Sequence, residues 1–473
     1  MTLAPSLVWV LGGSLAAYIV ALYALCFRIQ GRIQTSEDYL VAGRKLTLPF
    51  ATGTILATWF GAGTVLTAAD EVRQTGLRAA ALEPFGAGVC LLIAGWLIAG
   101  PIWKMKLLTL SDLFGTRFGR KAEVLSALIM VPSYFGWVAA QFVALAGMLH
   151  LFFAIDLSAG ILIVALVGSG YTLLGGMWSV TVTDAVQIAL VLVGLVLLAL
   201  STLSELGGGS SLAGLVRLWN DTPPEMRNPI PVESLQQLTD WLAVLAIAAL
   251  GNLPSQDIVQ RISASRTPAI ARRACLLSGY LYIGFGIIPV GLGLSGRILF
   301  PDTLSSAILP ALAHGFTQPL VAVSFTVMLV SAVLSSIDSG ILAPAAVLSE
   351  NIFRHVNRGR FSSLTLNRLA VLLVASGSAA MAYSGQSAYG LLEDSYEVAF
   401  VSLFVPMMFA VYGFRCAPKA AVASMSSGIA IWLIHWVTGW QYVAEPFIPL
   451  HLPASLGAMA ASLVAYVIFR RRS

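Results

Sequence analysis

A short polar cluster interrupts the apolar stretch 318–347, and its side chains could bind a small cation. Ser335, Ser336, Asp338 and Ser339 place three hydroxyls and one carboxylate within five residues. Ser335, Asp338 and Ser339 stand at i, i+3 and i+4, so a helix carries them on one face. Hydroxyls and unwound carbonyls suit Na+. The alternative for a single serine is a hydrogen bond to the carbonyl one turn back. The cluster as a whole indicates an ion site.

Two other apolar stretches carry glycine or proline interruptions. The segment 53–64 reads GTILATWFGAGT, and the segment 251–257 reads GNLPSQD. Interrupted segments in corresponding positions of two halves are typical of transporter binding sites. Small residues that only allow close helix packing are the alternative. The pair predicts two broken helices that flank a site.

Three carboxylates inside apolar stretches are further candidates, because ionisable residues within a membrane are costly and usually functional. Asp184 stands at the start of a predicted span, where it is either an interfacial cap or an ion ligand. Glu83 and Glu397 could attract a cation in a cavity or pair with a polar neighbour near the membrane surface.

The composition identifies the kind of chain that positions these residues. Its 473 residues are 58% hydrophobic and 10% charged, against about 25% charged in soluble proteins. This excludes a soluble enzyme, a secreted disulfide scaffold and a disordered chain, and it argues against nucleic-acid binding. The four cysteines and five histidines are scattered and show no metal-site spacing.

Thirteen stretches reach the roughly 20 apolar residues that a membrane helix needs. The first of them lacks the basic start and cleavage site of a signal peptide, so we interpret it as a retained helix. The sequence therefore predicts an all-α integral membrane protein with about thirteen transmembrane helices. The predicted spans are 6–27, 47–69, 79–103, 123–151, 157–178, 180–204, 239–258, 274–297, 318–347, 367–387, 392–413, 420–438 and 452–470.

The basic residues predict the orientation, because loops on the cytoplasmic side are enriched in Lys and Arg. With the N-terminus outside and the C-terminus inside, most of the 27 basic residues fall in inner loops, Arg261 among them. The five that remain outside are Arg73, Arg78, Arg217, Arg227 and Arg297.

The two predicted broken helices each begin a unit of five spans. Since five is odd, the second unit enters the membrane from the opposite side, which predicts an inverted repeat. We expect one transmembrane domain, 1–473, with no separate soluble domain. It comprises an extra N-terminal helix 6–27, repeats 47–204 and 239–413, and two C-terminal helices in 420–470.

Four motifs in order carry a resemblance to a known family. They are SEDYLVAGR at 36–44, Gly175-Gly176 followed by Thr183, Asp184 and Gln187, QDIVQR at 256–261, and LSSIDS at 334–339. Over about residues 36–412 the chain resembles the sodium:solute symporter family. The resemblance implies a thirteen-helix symporter with a leucine-transporter-like inverted-repeat core.

The resemblance also implies an ion site. The ligands of the family's principal sodium site map onto the carbonyls of Ala57, Phe60 and Ala332 and the hydroxyls of Ser335 and Ser336. Some members add a second sodium site, which would map onto Asp184, Ser335 and Ser339. Family members vary at the position of Asp338, so its role stays open.

Within the family, the chain is most similar to high-affinity choline transporters and their bacterial relatives, through ATWFGAG at 57–63, YTLLGG at 171–176 and SSIDS at 335–339. Choline transporters surround their cation with aromatic rings, each worth about 0.5–2 kcal/mol. Trp59 and Trp137 match two of these tryptophans, whereas Ser255 replaces the third. This departure favours a smaller, different or more hydrogen-bonding solute.

These inferences define the expected function. We expect sodium-coupled symport of a small polar or cationic solute, choline or a related amine among the candidates, into the cytoplasm by alternating access. The expected partners are the solute, Na+ as coupling ion and the lipid bilayer of a bacterial inner membrane, with no nucleic acid; the sequence does not fix the oligomeric state. The candidate solute contacts are Trp59, Gly61, Glu83, Tyr134, Trp137 and Ser255.

Alternatives remain at this point. Asp184, Asp338 or Glu83 could carry a proton in place of Na+. A membrane sensor built on a transporter fold would bind solute without flux. An intramembrane enzyme would need paired catalytic groups, which the scattered histidines do not offer.

Overall fold

The structure, a computed structural model, describes residues 5–31, 33–301, 308–315, 319–357, 359–413, 417–443 and 451–471. Within these ranges the regular structure is helical, and strand-like pairing is confined to isolated bridges such as Leu46 with Ser265. A helix satisfies its backbone hydrogen bonds within one segment, which is what an apolar chain in lipid requires. The prediction of an all-α protein is confirmed.

The first half of the described chain contains the helices α1 to α10. Their bounds are α1 Pro5–Gln30, α2 Ser36–Val41, α3 Leu48–Trp59, α4 Ala68–Thr75, α5 Ala87–Ile93, α6 Ala99–Met105, α7 Leu110–Phe118, α8 Arg120–Phe153, α9 Leu157–Leu206 and α10 Ser211–Asp221. Helical turns of wider or tighter pitch join α5 and α6 within the stretch Leu77–Met105, which is interrupted at Glu83, where the backbone is extended (φ −131°, ψ 128°).

The helices of the second half lie on both sides of the predicted interruption near residue 252, with α11 before it. Their bounds are α11 Leu235–Gly251, α12 Gln256–Ala264, α13 Pro268–Leu299, α14 Ile308–Gly315, α15 Pro319–Val347, α16 Arg354–Val356, α17 Ser363–Ala382, α18 Ala388–Ser402, α19 Phe404–Tyr412, α20 Pro418–Thr438 and α21 Ala454–Arg471.

Among the described residues, nine helices are long and apolar enough to cross a membrane, and up to eleven if each of two bent pairs is one span. Part of the difference from the predicted thirteen lies in α9, which counts once although its 50 residues form two helices that meet at a kink at Gly176. Its length of about 75 Å is more than twice the ~30 Å hydrocarbon core, and Gly176 within it has non-helical angles (φ 49°, ψ −153°). The count of thirteen and the orientation stay predictions.

The structure contains both predicted interruptions. Helix α3 ends at Trp59, and the helical stretch Gly63–Thr75 continues at an angle of 57° to it. Helix α11 ends at Gly251 and α12 begins at Gln256. Pro254 in the second gap has no N–H with which to continue a helix. Another break lies between α18 and α19, which meet at 50°.

Helix α15 lies at the centre of the helical assembly. It contacts α1, α3, α8, α9 and α17. In its most apolar segment of 18 residues, 94% of the residues are buried. The polar cluster that follows residue 334 is therefore enclosed by other helices instead of facing lipid. This position lets α15 connect the end of α3 to α9.

Candidate functional site

Two serines of α15 join three helices at the end of α3. Ser336 Oγ donates a hydrogen bond to the Thr58 carbonyl at 2.7 Å, and Ser335 Oγ donates to Asp184 Oδ1 at 2.6 Å. All four residues are fully buried. Neither hydroxyl donates a hydrogen bond to the carbonyl one turn back on α15, which was the alternative for a single serine in a membrane helix. The serines instead connect α15 to α3 and α9.

The break after α3 presents backbone carbonyls to this cluster. The last four carbonyls of a helix have no partner within the helix. The Thr58 carbonyl accepts from Ser336, and the Trp59 carbonyl oxygen lies 3.0 Å from the Tyr282 hydroxyl oxygen. Ala57 and Phe60 bracket these two residues and are buried.

The predicted sodium ligands therefore fall where α3 ends against α15. Ala332 stands one turn before Ser335 and, like the other ligand residues, is no more than 2% exposed. The donors are carbonyls and hydroxyls, a set that suits a monovalent hard cation without a buried charge of its own. Sodium binding by them stays a prediction.

The residues predicted for a second sodium site also lie together, but they are engaged by protein groups. Asp184 accepts from Ser335 and, at 2.5 Å, from Thr54 Oγ1. Ser339 Oγ lies 3.0 Å from Thr58 Oγ1 and accepts from Arg261 Nη2 at 2.5 Å.

The expected position of Arg261 in an inner loop is wrong. The side chain is fully buried, and it donates to the Thr54 carbonyl at 3.3 Å and the Asp257 carbonyl at 3.1 Å. Every residue of α12 is buried, so a basic residue at this span end turns inward. The loop rule failed here because it assumes that basic residues near span ends face water.

A cavity adjoins the broken end of α3. The cavity has a volume of about 40 Å³. The predicted spans two, three, four, seven and eleven all contribute side chains. Its lining residues are Trp59, Glu83, Met130, Ser133, Tyr134, Trp137, Gly251, Asn252, Pro254, Ser255, Asp257, Ser395, Tyr396 and Ala399.

Asp257 organises one side of this cavity. Its Oδ2 accepts from Trp59 Nε1 at 2.9 Å, and its Oδ1 accepts from the Tyr134 hydroxyl at 2.5 Å. Tyr134 in turn meets Trp137 edge to face, with ring centroids 5.7 Å apart. The Asp257 carboxylate therefore orients the Trp59 and Tyr134 rings through hydrogen bonds, and Tyr134 in turn packs against Trp137. Asp257 is 3% exposed.

Glu83 supplies a second carboxylate to the cavity. It accepts from Thr64 Oγ1 at 3.1 Å, from the Tyr282 hydroxyl at 2.5 Å and from the Tyr396 hydroxyl at 3.2 Å. Glu83 thus lines the cavity and pairs with polar neighbours, and its attraction for a cation stays a prediction. Glu397 is absent from the residues that line this cavity and accepts from Trp432 Nε1 at 2.9 Å.

Gly61, predicted as a solute contact, is not among the described residues that line the cavity. A Cβ at this position would meet the Ser336 hydroxyl and, at 2.8 Å, Gln141 Oε1. Gln141 Oε1 accepts from the Ala62 amide at 2.8 Å. Gly61 therefore lets α15 and α8 approach the broken backbone. The physical reason for the difference is that this glycine faces the helix contact.

Sequence reasoning did not select Asp257, Tyr396 or Gln141 as site residues. Asp257 had a signal, since it is an ionisable residue inside a span and belongs to the second interruption. Tyr396 and Gln141 carried no comparable signal, because a tyrosine or glutamine in a span acquires its role only from what faces it. The structure brings all three to the broken helices.

Comparison with known proteins was made on sequence and on fold. Residues 39–428 match the sodium:solute symporter family. The human high affinity choline transporter 1 is 27% identical over 84% of this chain and 70% of its own length. The sodium/pantothenate symporter of Haemophilus influenzae is 26% identical over 70% and 69%, and the sodium/proline symporter of Staphylococcus aureus is 23% identical over 92% and 87%.

Solved structures share the fold. A Na+-coupled sialic acid symporter in a substrate-bound, outward-open state matches with a TM-score of 0.79 at 16% identity, covering 98% of both chains. A nucleobase-cation-symport-1 family transporter, Mhp1, matches with a TM-score of 0.61 at 14% identity, covering 93% of this chain and 94% of its own. At these identities the likeness concerns the helical architecture.

Proposed function

The chain belongs to the sodium:solute symporter family, and we propose that it couples the downhill movement of Na+ to the uptake of a small organic cation. It is a multi-pass membrane transporter, and its relatives and structural neighbours are transporters, not enzymes. The predicted family and transporter class are thereby confirmed. The solute, the ion and the direction form the proposal.

The observation that carries the proposal is the pair of carboxylates in an aromatic cavity. Asp257 and Glu83 line the same space as Trp59, Trp137 and Tyr396. Among the described residues that line it, none is Lys or Arg. Carboxylates attract a cation directly, and each ring adds about 0.5–2 kcal/mol through its negative face. An anionic solute would meet two like charges there.

The cavity favours an amine that donates hydrogen bonds. Ser255 lines the cavity, and its hydroxyl has no partner within the described structure. A quaternary ammonium has no N–H to offer this hydroxyl, Asp257 or Glu83, whereas a protonated primary or secondary amine does. The human relative is named a choline transporter; we propose a related but hydrogen-bonding amine for this chain.

The proposed coupling places Na+ between the broken end of α3 and α15. The bound ion replaces hydrogen bonds such as Ser336 to Thr58 as the connection between these helices. Trp59, which precedes the break, is also the ring that Asp257 orients. A bound Na+ therefore fixes Trp59 in the wall of the solute cavity. When the ion leaves on the inner side, the connection between α3 and α15 and this wall of the cavity both loosen.

The driving force is sufficient for accumulation. Each Na+ that moves inward across 100 mV contributes about 2.3 kcal/mol, or about fortyfold accumulation when tenfold corresponds to 1.4 kcal/mol. We propose an inverted-repeat core that closes the outer path and opens the inner one in turn. The proposed location is a bacterial inner membrane.

Uptake into proteoliposomes tests this proposal. Purified protein is reconstituted, and a panel of labelled primary, secondary and quaternary amines, a neutral amino acid and a carboxylate is offered in external Na+ or K+ at fixed pH. We expect uptake of an amine that requires Na+ and rises with an inside-negative potential. Equal uptake in K+ would favour proton coupling, and Na+-dependent uptake of only the carboxylate would contradict the cation assignment.

A sensor binds its solute without transporting it, so a binding measurement beside the uptake assay distinguishes a sensor from a transporter. In a thermal-shift screen of the same panel, a ligand that binds the folded state raises the unfolding temperature. We expect stabilisation by an amine that depends on Na+. A solute that stabilises the protein in Na+ but never enters the proteoliposomes would identify a sensor.

A further inference from the structure

An apolar crevice lies between α8, α17, α18 and α20, and α8 contacts each of the other three helices. The crevice has a volume of about 350 Å³. Its lining includes the exposed side chains of Leu128, Leu433 and Trp436. Exposed apolar surface of this kind on a membrane-spanning chain marks a contact with lipid or with another molecule. The crevice is therefore continuous with the lipid-facing surface of these helices.

The crevice has the depth of one leaflet of a bilayer. Trp436 stands close to the end of α20 at Thr438, and Ile429, which also lines the crevice, stands nine residues before that end. At about 1.5 Å per residue, Ile429 is about 14 Å below the helix end, close to half of the ~30 Å hydrocarbon core. With the predicted orientation, the crevice runs from the outer surface to near the middle of the membrane. An acyl chain of the outer leaflet follows the same course.

The rim of the crevice carries one carboxylate. Asp394 is the charged residue among the described residues that line the crevice, and it has no hydrogen bond or ion pair with any described residue. Trp432 and Trp436 line the same space, and their indoles stack with centroids 6.1 Å apart. A carboxylate forms strong hydrogen bonds with an ammonium group, and an indole face attracts a cation as well. The rim therefore suits the cationic headgroup of a lipid.

The crevice shares a wall with the solute cavity. Ser133 of α8 and Ser395 of α18 line both spaces. Gly136 allows the two helices to approach, because a Cβ there would meet the Ser395 hydroxyl and, at 3.1 Å, the Leu391 carbonyl oxygen. Atoms that line a void lose dispersion contacts on that side. An acyl chain in the crevice would restore these contacts and support the wall.

We propose that the crevice binds one phospholipid whose headgroup carries a primary ammonium, which is phosphatidylethanolamine. The ammonium binds Asp394 beside Trp432 and Trp436, and one acyl chain fills the crevice as far as Ile429. Lipid tails are as apolar as the lining side chains, so the acyl chain alone selects no particular lipid. The headgroup provides the selectivity, because a choline headgroup has no N–H for the carboxylate and a glycerol headgroup has no positive charge. This site is separate from the proposed solute and ion sites.

Native mass spectrometry of the purified full-length protein tests the site. The detergent-solubilised protein is titrated with an equimolar mixture of palmitoyl-oleoyl phosphatidylethanolamine and phosphatidylcholine. We expect the first bound lipid to be phosphatidylethanolamine by about tenfold, because only its ammonium can donate hydrogen bonds to Asp394. Asp394→Asn should bind the two lipids equally. The matched control is Glu393→Gln, which removes the neighbouring carboxylate, is absent from the lining of the crevice and should keep the wild-type ratio.

A second pair of variants tests the acyl-chain part of the site. Ile429→Trp fills the crevice from its deep end, so we expect about tenfold less bound lipid, since the bulkier side chain occupies the space of the chain. Ala430→Trp adds the same side chain at the next position, which is exposed and outside the lining, and should bind lipid like the wild type. If Ile429→Trp does not fold, Leu433→Trp at the exposed mouth takes its place.

Three results would overturn the site. The first is equal binding of the two lipids by the wild type, and the second is wild-type lipid binding in the variant that fills the crevice. The third is a dimer without bound lipid that this variant dissociates, since a second copy of the chain would then cover the crevice. The assay involves no transport, so each of these results leaves the proposed amine uptake and its Na+ coupling unaffected.

Discussion

Single residues in this protein combine a structural role with a proposed binding role. Asp257 fixes the Trp59 indole and the Tyr134 hydroxyl while it supplies negative charge to the cavity. Glu83 does the same with Tyr282 and Tyr396 on the opposite side of the break. An amide in place of either carboxylate would keep part of its hydrogen bonding and remove its charge. The two contributions can therefore be measured separately.

Asp257→Asn should weaken amine uptake through the lost charge. A hydrogen bond to a charged group is worth about 1.5–3 kcal/mol, so we expect the KM for the amine to rise about 10- to 100-fold with a smaller change in kcat. Proteoliposome uptake over a range of amine concentrations measures this. The matched control is Glu397→Gln, whose carboxylate also accepts from an indole at 2.9 Å but outside this cavity. Equal losses in both variants would contradict a specific role for Asp257.

The hydroxyls of Ser335 and Ser336 should determine the dependence on Na+. We expect Ser335→Ala or Ser336→Ala to abolish Na+-stimulated uptake while the protein still inserts, as judged by its yield in the membrane fraction. Thr326→Ala is the control, since its hydroxyl on the same helix bonds to the Ala322 carbonyl one turn back at 2.8 Å. If the double variant keeps the Na+ dependence of the wild type, the proposed ion site is wrong.

At the scale of the helix, the break after α3 depends on close approach of its neighbours. Gly61→Ala would bring a methyl group against Ser336 and Gln141, and overpacking of a filled interior typically costs about 1–3 kcal/mol. We expect a lower unfolding temperature and at least tenfold less uptake. Gly147→Ala on α8 is the control, because no atom lies within 4 Å of the added carbon. A Gly61→Ala variant with wild-type uptake would show that the spacing is not critical.

The helix breaks were predictable from sequence because glycine and proline act locally. Both interruptions, at 53–64 and 251–257, lie where the chain leaves the helix. The inward turn of Arg261 was not predictable, since its burial depends on helices distant in sequence. The same holds for Gln187, whose side chain lies beside Tyr18 only because α1 docks against α9. Motifs could identify polar residues but not which of their atoms stay unpartnered.

At the scale of the whole molecule, two charge distributions serve different purposes. The basic residues outside the buried network lie mostly in the predicted inner loops, where they set orientation. The cavity is lined by two carboxylates and, among the described residues, by no Lys or Arg. A cation that approaches the cavity is therefore attracted inside a protein whose net charge is +5. Net charge alone would have suggested an anionic solute.

The predicted orientation can be tested by labelling at two exposed positions. Leu212 on α10 is 75% exposed and precedes α11, and Val356 at the end of α16 is 74% exposed and precedes α17. The basic loops place Leu212 outside and Val356 inside. In a background without Cys416, the cysteines Cys26, Cys90 and Cys275 are buried, so an impermeant maleimide should label Leu212→Cys in intact cells and Val356→Cys only after lysis. The reverse pattern would contradict the predicted orientation, whereas the direction of the proposed transport would stay inward because the Na+ gradient sets it.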